Sequence, residues 1–379
     1  MENGSTAFVL AGGLLIDGTG AHPYAGTLAV RDGRIQSIGE IPSGYEIIDV
    51  SGCTVLPGFV HAHAHPGYKF MGQTELDDYD VDWLMACLSA GITTVKDMGG
   101  LNVTGLQQIL ERRNRLNATG RYPRIVSAGK LLAAPGGYGG AAPVAASSVR
   151  EARERAEWML DAGADFIKTS LENGYSPDTA LPKLSPEQLA AICGATRARG
   201  ARVSAHLSQC EPLRVLVEAG ITDAGHAPYE PMDDGLIRMM VERRVTMTPT
   251  LTLYRMFQEK YGAPFLGTAI ENTRRFAKAG GVVAVGDDFI EPAEPWYRPG
   301  LPWGELELLL QAGLDNMQII QALTANGAEA CGILHETGTL VPGKRADVAV
   351  VRGNPAERLE CLRDVEMVMV GGKIILKSG

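Results

Sequence analysis

The chain contains no Cys-x-x-Cys pair. Its six cysteines (Cys53, Cys87, Cys193, Cys210, Cys331 and Cys361) are scattered over 379 residues, a spacing that fits neither a zinc knuckle nor a disulfide framework. Cys210 lies four residues after His206, but a cysteine in that setting reads as a small buried apolar residue, not a nucleophile. Positive charge is not in surplus. The formal net charge is −9, which argues against a nucleic-acid partner, since that calls for a basic face. No apolar run approaches the roughly 20 residues needed to span a bilayer, so no membrane partner is expected. Residues 7–16 have the apolar texture of a signal-peptide core, yet Glu2 stands where a basic leader belongs and Asp17-Gly18 follows as a turn. The segment therefore reads as a first strand, and the chain as cytoplasmic. Low-complexity tracts, long linkers and internal repeats beyond a strand–helix periodicity are also missing.

What is present is concentrated in Val55-Leu56-Pro57-Gly58-Phe59-Val60-His61-Ala62-His63-Ala64-His65-Pro66. Three histidines alternate at the end of an apolar strand. Side chains two apart on a strand share a face, so the imidazoles project together where the strand stops. Neutral imidazole is the commonest metal ligand among side chains.

Short apolar strands then recur, each followed by a helical pattern. They are expected at residues 59–65, 92–97, 124–128, 165–169, 202–206, 221–226, 245–249 and 282–288. Pairs such as Ala90-Gly91, Ala162-Gly163, Arg199-Gly200, Ala219-Gly220 and Gly280-Gly281 close the preceding helices, glycine supplying the left-handed cap of a helix-to-strand turn. Eight strands alternating with helices predict an α/β fold, a (β/α)8 TIM barrel. The two ends have a different texture, with short strands between Asp-Gly, Ser-Gly and Gly-Gly turns. Neither end is large enough for an independent core. The expected arrangement is a composite β-sandwich from residues 1–56 and 338–379, flanking a barrel over 57–337.

Polar residues at the C-terminal ends of barrel strands read as catalytic, because that face carries the active site. Those ends hold His63, His65, Lys168, His206, His226 and the Asp287-Asp288 pair. One strand-ending histidine is ordinarily a hydrogen-bonded structural residue, and one lysine after Phe-Ile a snorkelling surface group. Their joint occurrence on one barrel points instead to a metal site. His22 and His335 fall outside it and receive no role.

The whole chain resembles the amidohydrolase superfamily of metal-dependent hydrolases. Pro57-Gly58 through His65 is similar to its opening motif Pro-Gly-x-x-Asp/Asn-x-His-x-His, with His61 where the family has Asp or Asn. Two readings of His61 stand: a hydrogen-bonding support behind the ligands, or a residue that alters the metal site. Gly163-Ala164-Asp165-Phe166-Ile167-Lys168 resembles the branch in which the strand-four lysine is carboxylated, which includes Xaa-Pro dipeptidases and other N-acyl amino acid hydrolases. Gly286-Asp287-Asp288 corresponds to Gly-Thr-Asp; register favours Asp288 as the metal-bound acid, with Asp287 as the alternative. The resemblance thus implies two divalent metal ions, zinc by preference, held by His63, His65, His206, His226, Asp288 and N6-carboxylysine at Lys168. It implies cleavage of an amide or related C–N bond by a metal-bridging hydroxide, with Asp288 as the catalytic proton carrier. It also implies a small-molecule substrate and a homo-oligomer. An esterase, lactonase or phosphotriesterase on the same centre is the alternative, and a deaminase a more distant one.

Substrate choice belongs to the strand–helix loops. Tyr68 follows the first strand, Tyr138 the third, and Trp296, Tyr297, Arg298 and Trp303 the eighth. Tyr68, Tyr138, Trp296 and Arg298 are the candidate substrate contacts, because aromatics with one Arg suit an apolar group carrying an anionic handle. Packing of loops or of a subunit interface is the competing role for these aromatics. Tyr138 stands where dipeptidase relatives often carry histidine, and Leu207-Ser208-Gln209 replaces their Ala-His-Gly. The substrate range therefore stays broad: N-acyl amino acids, dipeptides, and amide, carbamate or lactam compounds including xenobiotics.

Overall fold

A computed structural model describes residues 7–67, 79–100, 104–139, 142–172, 180–289 and 297–377. Eight parallel strands form the barrel: β1 (Phe59–Ala64), β2 (Ile92–Asp97), β3 (Arg124–Ser127), β4 (Ile167–Ser170), β5 (Val203–His206), β6 (Asp223–Gly225), β7 (Thr246–Met247) and β8 (Val282–Val283). Strands β1 to β3 pair in order, as do β4 to β8. Two seams close the ring. Beyond β8 the chain stays hydrogen-bonded to β1, through Ala62 N–H to Val285 O (2.7 Å) and His65 N–H to Phe289 O (2.7 Å). Between β3 and β4, Asp165 N–H donates to Ser127 O (2.9 Å). After a bend at residues 128–130, Leu131–Ala133 pairs with β4.

The third strand expected at 124–128 is thus present as Arg124–Ser127, and the short strand Leu131–Ala133, not expected from the sequence, carries the pairing on to β4. The first expected strand is present as Phe59–Ala64, while the apolar run just before Gly58, Cys53–Pro57, joins a terminal sheet instead of the barrel. A Cβ at Gly58 would lie 2.2 Å from Thr93 Oγ1, so only glycine lets the chain pass β2 this closely.

The intervening helices follow from local sequence. In Val149–Asp161, Ala152, Ala156 and Met159 recur at helical spacing and are buried, and Ser148 caps the first turn by accepting from Glu151 N–H. Helix Pro186–Ala198 starts with a capping box between Ser185 and Gln188 and a proline in its first turn.

Both chain ends supply the remaining sheets. One contains Ala7–Ala11, Leu28–Arg31, Arg34–Ile38 and Glu46–Asp49. The other joins Cys53–Pro57 to Val348–Arg352, Val365–Val370 and Lys373–Lys377, with two short strands at its edge. Val348 and Val350 pack into the core between these sheets, beside Phe8, Leu10 and Val30. Ala349 and Val351 point the other way, into the barrel's outer core. A strand buried on both faces needs an unbroken apolar run, and each fully buried valine contributes about 1.5–3 kcal/mol. This two-sided packing seats the terminal sheets against the barrel. Among the described residues, no helix is long and apolar enough to cross a membrane.

Candidate metal centre

His61, His63 and His65 are all buried on β1 and its tip, but they do not share one partner. His61 Nε2 meets Asp287 Oδ1 at 3.0 Å. His63 Nε2 and His65 Nε2 both approach Asp288 Oδ1, at 3.2 and 3.4 Å. Consecutive residues on a strand ordinarily point to opposite faces. Asp288 escapes that alternation by adopting φ +58°, uncommon for a non-glycine residue. Its N–H bonds to His63 O (3.1 Å), so both carboxylates turn towards β1. Of the two acids left open by register, Asp288 is the one that meets His63 and His65. These three residues each offer a ligand atom, all within 4.8 Å of one another.

His61 lies against the core, its ring edge-on to Trp83 with centroids 5.5 Å apart. Its pairing is with Asp287, apart from the group of His63, His65 and Asp288.

His206 closes β5, and His226 follows Gly225 at the end of β6. Their facing nitrogens, His206 Nδ1 and His226 Nε2, are 3.0 Å apart. The His226 ring lies 4.9 Å from that of His63, centroid to centroid, so the two halves of the cluster adjoin. Lys168 on β4 is buried, and its Nζ has no hydrogen-bond partner among the described residues. A buried ammonium is costly without a partner. Burial first, then the charge of Lys96, pushes Lys168 down to about 7, against the pull of Asp223 and Asp288.

Burial likewise pushes His63 down to about 3, and it lowers His206 and His226. All three are therefore neutral imidazoles, the form that binds metals. Burial opposes ionisation of Asp288 too, but His63 and His65 hold its carboxyl well below the usual range. The donor set is thus several nitrogen lone pairs, one carboxylate and an amine without a partner among the described residues, all buried. That chemistry fits a divalent cation.

Two glycines make room for the cluster. A Cβ on Gly225 would lie 2.4 Å from His63 Cε1, and one on Gly286 would lie 2.6 Å from His63 N. Gly225→Ala should therefore push the His63 ring off Asp288 and weaken the affinity for a divalent cation about 10- to 100-fold, as loss of a ligand's support does. Competition with a chromophoric chelator measures this; unchanged affinity would mean that His63 is not a ligand.

Other functional candidates went unread in the sequence. Glu172, two residues beyond β4, is buried with Oε2 3.3 Å from His206 Nε2. Thr250 Oγ1 meets His226 Nδ1 at 2.6 Å. Beneath the cluster, Lys96 Nζ donates to Asp223 Oδ2 (2.7 Å), Ser204 Oγ (2.7 Å) and Ala330 O (2.8 Å), filling all three donor positions of the ammonium. Although burial opposes it, Lys96 holds Asp223 down at about 2. The available signal was a charged residue inside each of two apolar strands, Lys96 in β2 and Asp223 in β6.

Of the expected substrate contacts, Tyr138 stacks on His206 with centroids 3.9 Å apart and planes 11° off parallel. Arg298 is exposed, while its neighbour Tyr297 is buried edge-on to Phe289. The Arg363 guanidinium lies over the Trp303 ring, 4.0 Å from its centroid. Tyr68 and Trp296 lie outside the described residues.

A His-His-Asp cluster able to hold a metal ion, at the C-terminal mouth of a (β/α)8 barrel with a flanking sheet domain from both chain ends, defines a barrel hydrolase architecture. The chain belongs to the amidohydrolase family, whose model matches residues 54–375. An uncharacterised protein of Mycobacterium tuberculosis is 29% identical over 232 residues, 59% of this chain and 57% of that one. The match therefore spans little more than half the length of that relative. An imidazolonepropionase of a Geobacillus species is 24% identical over 93% of this chain and 91% of its own. The crystal structure of a Xaa-Pro dipeptidase with methionine bound in its active site superposes with a TM-score of 0.83, at 22% identity, covering 97% of this chain and 99% of that one. At that identity the likeness speaks for the fold.

Proposed function

We propose that this protein is a binuclear metal-dependent hydrolase that cleaves an amide or related C–N bond in a small molecule, such as an N-acyl amino acid, dipeptide or carbamate. The observation that carries this reading is Lys168: a buried amine without a hydrogen-bond partner among the described residues, beside His63 and Asp288. An amine pushed down to about 7 is neutral about half the time at pH 7, where an ordinary lysine is almost wholly charged. Its nitrogen lone pair forms a C–N bond to carbon dioxide and releases one proton to solvent, leaving a carbamate anion. That anion offers two oxygens where an ammonium would repel a cation. His63, His65 and Asp288 would hold one divalent ion, zinc by preference, and His206 and His226 a second, with the Lys168 carbamate shared. Such ions lower the pKa of bound water towards about 7 and polarise a substrate carbonyl.

The remaining chemistry falls to the chain. Asp288, ionised in its buried site, accepts a proton from the attacking water at its carboxylate and returns it to the departing nitrogen. The Tyr138 ring, stacked on His206, provides a flat apolar wall for the substrate. The names of the imidazolonepropionase and dipeptidase relatives support a C–N bond as the target.

Zinc-loaded protein assayed on N-acyl amino acids, dipeptides, esters, lactones, phosphotriesters and adenine tests the reading, with metal counted per chain. Turnover of amides with close to two zinc ions is expected. Turnover confined to esters or phosphotriesters, or deamination with a single ion, would overturn it.

A further inference from the structure

Helix Leu251–Tyr261 follows β7, and its N-cap residue is Thr250. Threonine in that place ordinarily sits in extended backbone and accepts from the second or third helical N–H. Thr250 does neither. It adopts φ +51°, ψ +49°, and its side chain makes no cap bond. Left-handed backbone is a genuine outlier for a β-branched residue, and it persists only where the surroundings over-determine it. The hydroxyl donates instead to Pro249 O (2.8 Å), and its oxygen meets His226 Nδ1 at 2.6 Å. The same turn is tied to the residue after His226. Ala227 N–H donates to Pro249 O (3.2 Å), and the Tyr254 hydroxyl to Ala227 O.

The capping is done from another helix. Glu305, in the first turn of Trp303–Gln311, reaches across with both carboxylate oxygens. Oε1 accepts from Leu251 N–H (2.8 Å), and Oε2 from Thr252 N–H (2.7 Å) and the Thr252 hydroxyl (2.8 Å). Leu251 and Thr252 carry the first two helical N–H groups, which have no partner inside a helix. Glu305 is fully buried. Burial pushes its carboxyl up to about 7 against the pull of these donors, and the charge of Asp287 adds to the rise. Thr250 could cap its own helix without burying a carboxyl. With the task taken over from 54 residues away, the Thr250 hydroxyl is released for His226.

We propose that Glu305 is a positioning residue: by capping helix Leu251–Tyr261 it holds Thr250 in its left-handed conformation, with the hydroxyl set against the His226 ring. The inference rests on the reading of His226 as a ligand of the second ion. Glu305 itself touches neither the cluster nor the substrate; it acts through Thr250.

The test uses the full-length protein with Glu305→Gln, Thr250→Val and the two combined. Zinc alone is the probe, titrated against a chromophoric chelator. An amide accepts at one end only, so Glu305→Gln turns a donor towards a helical N–H. Thr250→Val removes the hydroxyl at similar bulk. Each single variant should weaken zinc binding about tenfold, as loss of a ligand's support does. In the Thr250→Val background, Glu305→Gln should change affinity by less than about twofold, because its route to His226 is already cut. A merely structural Glu305 would act alike in both backgrounds, and equal losses there would overturn the inference. Crystals of metal-free Glu305→Gln give a reading independent of zinc. Thr250 should leave the left-handed region and its hydroxyl should move out of hydrogen-bond reach of His226; an unmoved Thr250 would overturn the inference. If Glu305→Gln does not fold, Thr252→Val, which removes one of the bonds to Glu305, takes its place in both measurements with a smaller loss. A parent that binds no zinc would sink the proposed function alone, and the crystals would still decide what Glu305 holds.

Discussion

Lys168→Ala is expected to lower turnover at least about a thousandfold while leaving a folded barrel, since tenfold in rate corresponds to about 1.36 kcal/mol and a lost Lewis acid to several kcal/mol. The fold should tolerate the change because the amine makes no hydrogen bond among the described residues. Its removal strands no described partner, and it relieves the burial of a group that is costly when charged. Thermal unfolding should therefore move little or rise, while metal content falls from two ions per chain towards one. Mass spectrometry offers a further check, since the parent should carry the mass of one added carbon dioxide on Lys168 under mild conditions. A Lys168→Ala protein with full activity and full metal content would show that no carbamate takes part.

Asp288→Asn should reduce kcat by about 10²- to 10⁴-fold, the usual worth of a positioned proton carrier. Asparagine preserves the shape but cannot accept and return a proton, and it removes the negative charge on which His63 and His65 converge. Asp287→Asn is the control. Asp287 is equally buried and adjacent in sequence, but its carboxylate is engaged with His61. That variant should retain most of its turnover and lose mainly thermal stability. If the two variants proved equally inactive, the division of labour between the carboxylates would be wrong.

The barrel was legible because its signals are local. Most of the apolar strands follow a helix closed by glycine, and Gly91, Gly163, Gly200, Gly220 and Gly280 all adopt positive φ. The strand boundaries were less so. The apolar run 55–60 belongs to two sheets, and nothing in its hydrophobicity marks Gly58 as the crossing point. What does so is a contact with Thr93, a residue 35 positions away, which leaves no space for a side chain. Residues 165–166 and 202 likewise read as strand, although regular pairing starts only at Ile167 and Val203.

The ligand candidates were readable for a related reason. Histidine, lysine and aspartate at strand tips are chemically conspicuous, and period-2 alternation fixes the face on which each lies. Their supports were not. Glu172 lies two residues past a strand in an ordinary loop composition, and Thr250 is one threonine among many. Nothing local distinguishes the Thr250 hydroxyl that aims at His226 from one facing solvent.

Sequence by itself determined the alternation of strands and helices, the set of residues at the strand tips, and a chemistry suited to a cation. Tertiary structure alone decided the pairings: Asp288 rather than Asp287 against His63 and His65, His61 turned aside to Asp287, and Glu172 and Thr250 behind the two facing histidines. The physical reason is that periodicity specifies a direction relative to the local backbone. Pairing depends instead on distances between segments up to 226 residues apart, and only closure of the ring sets those.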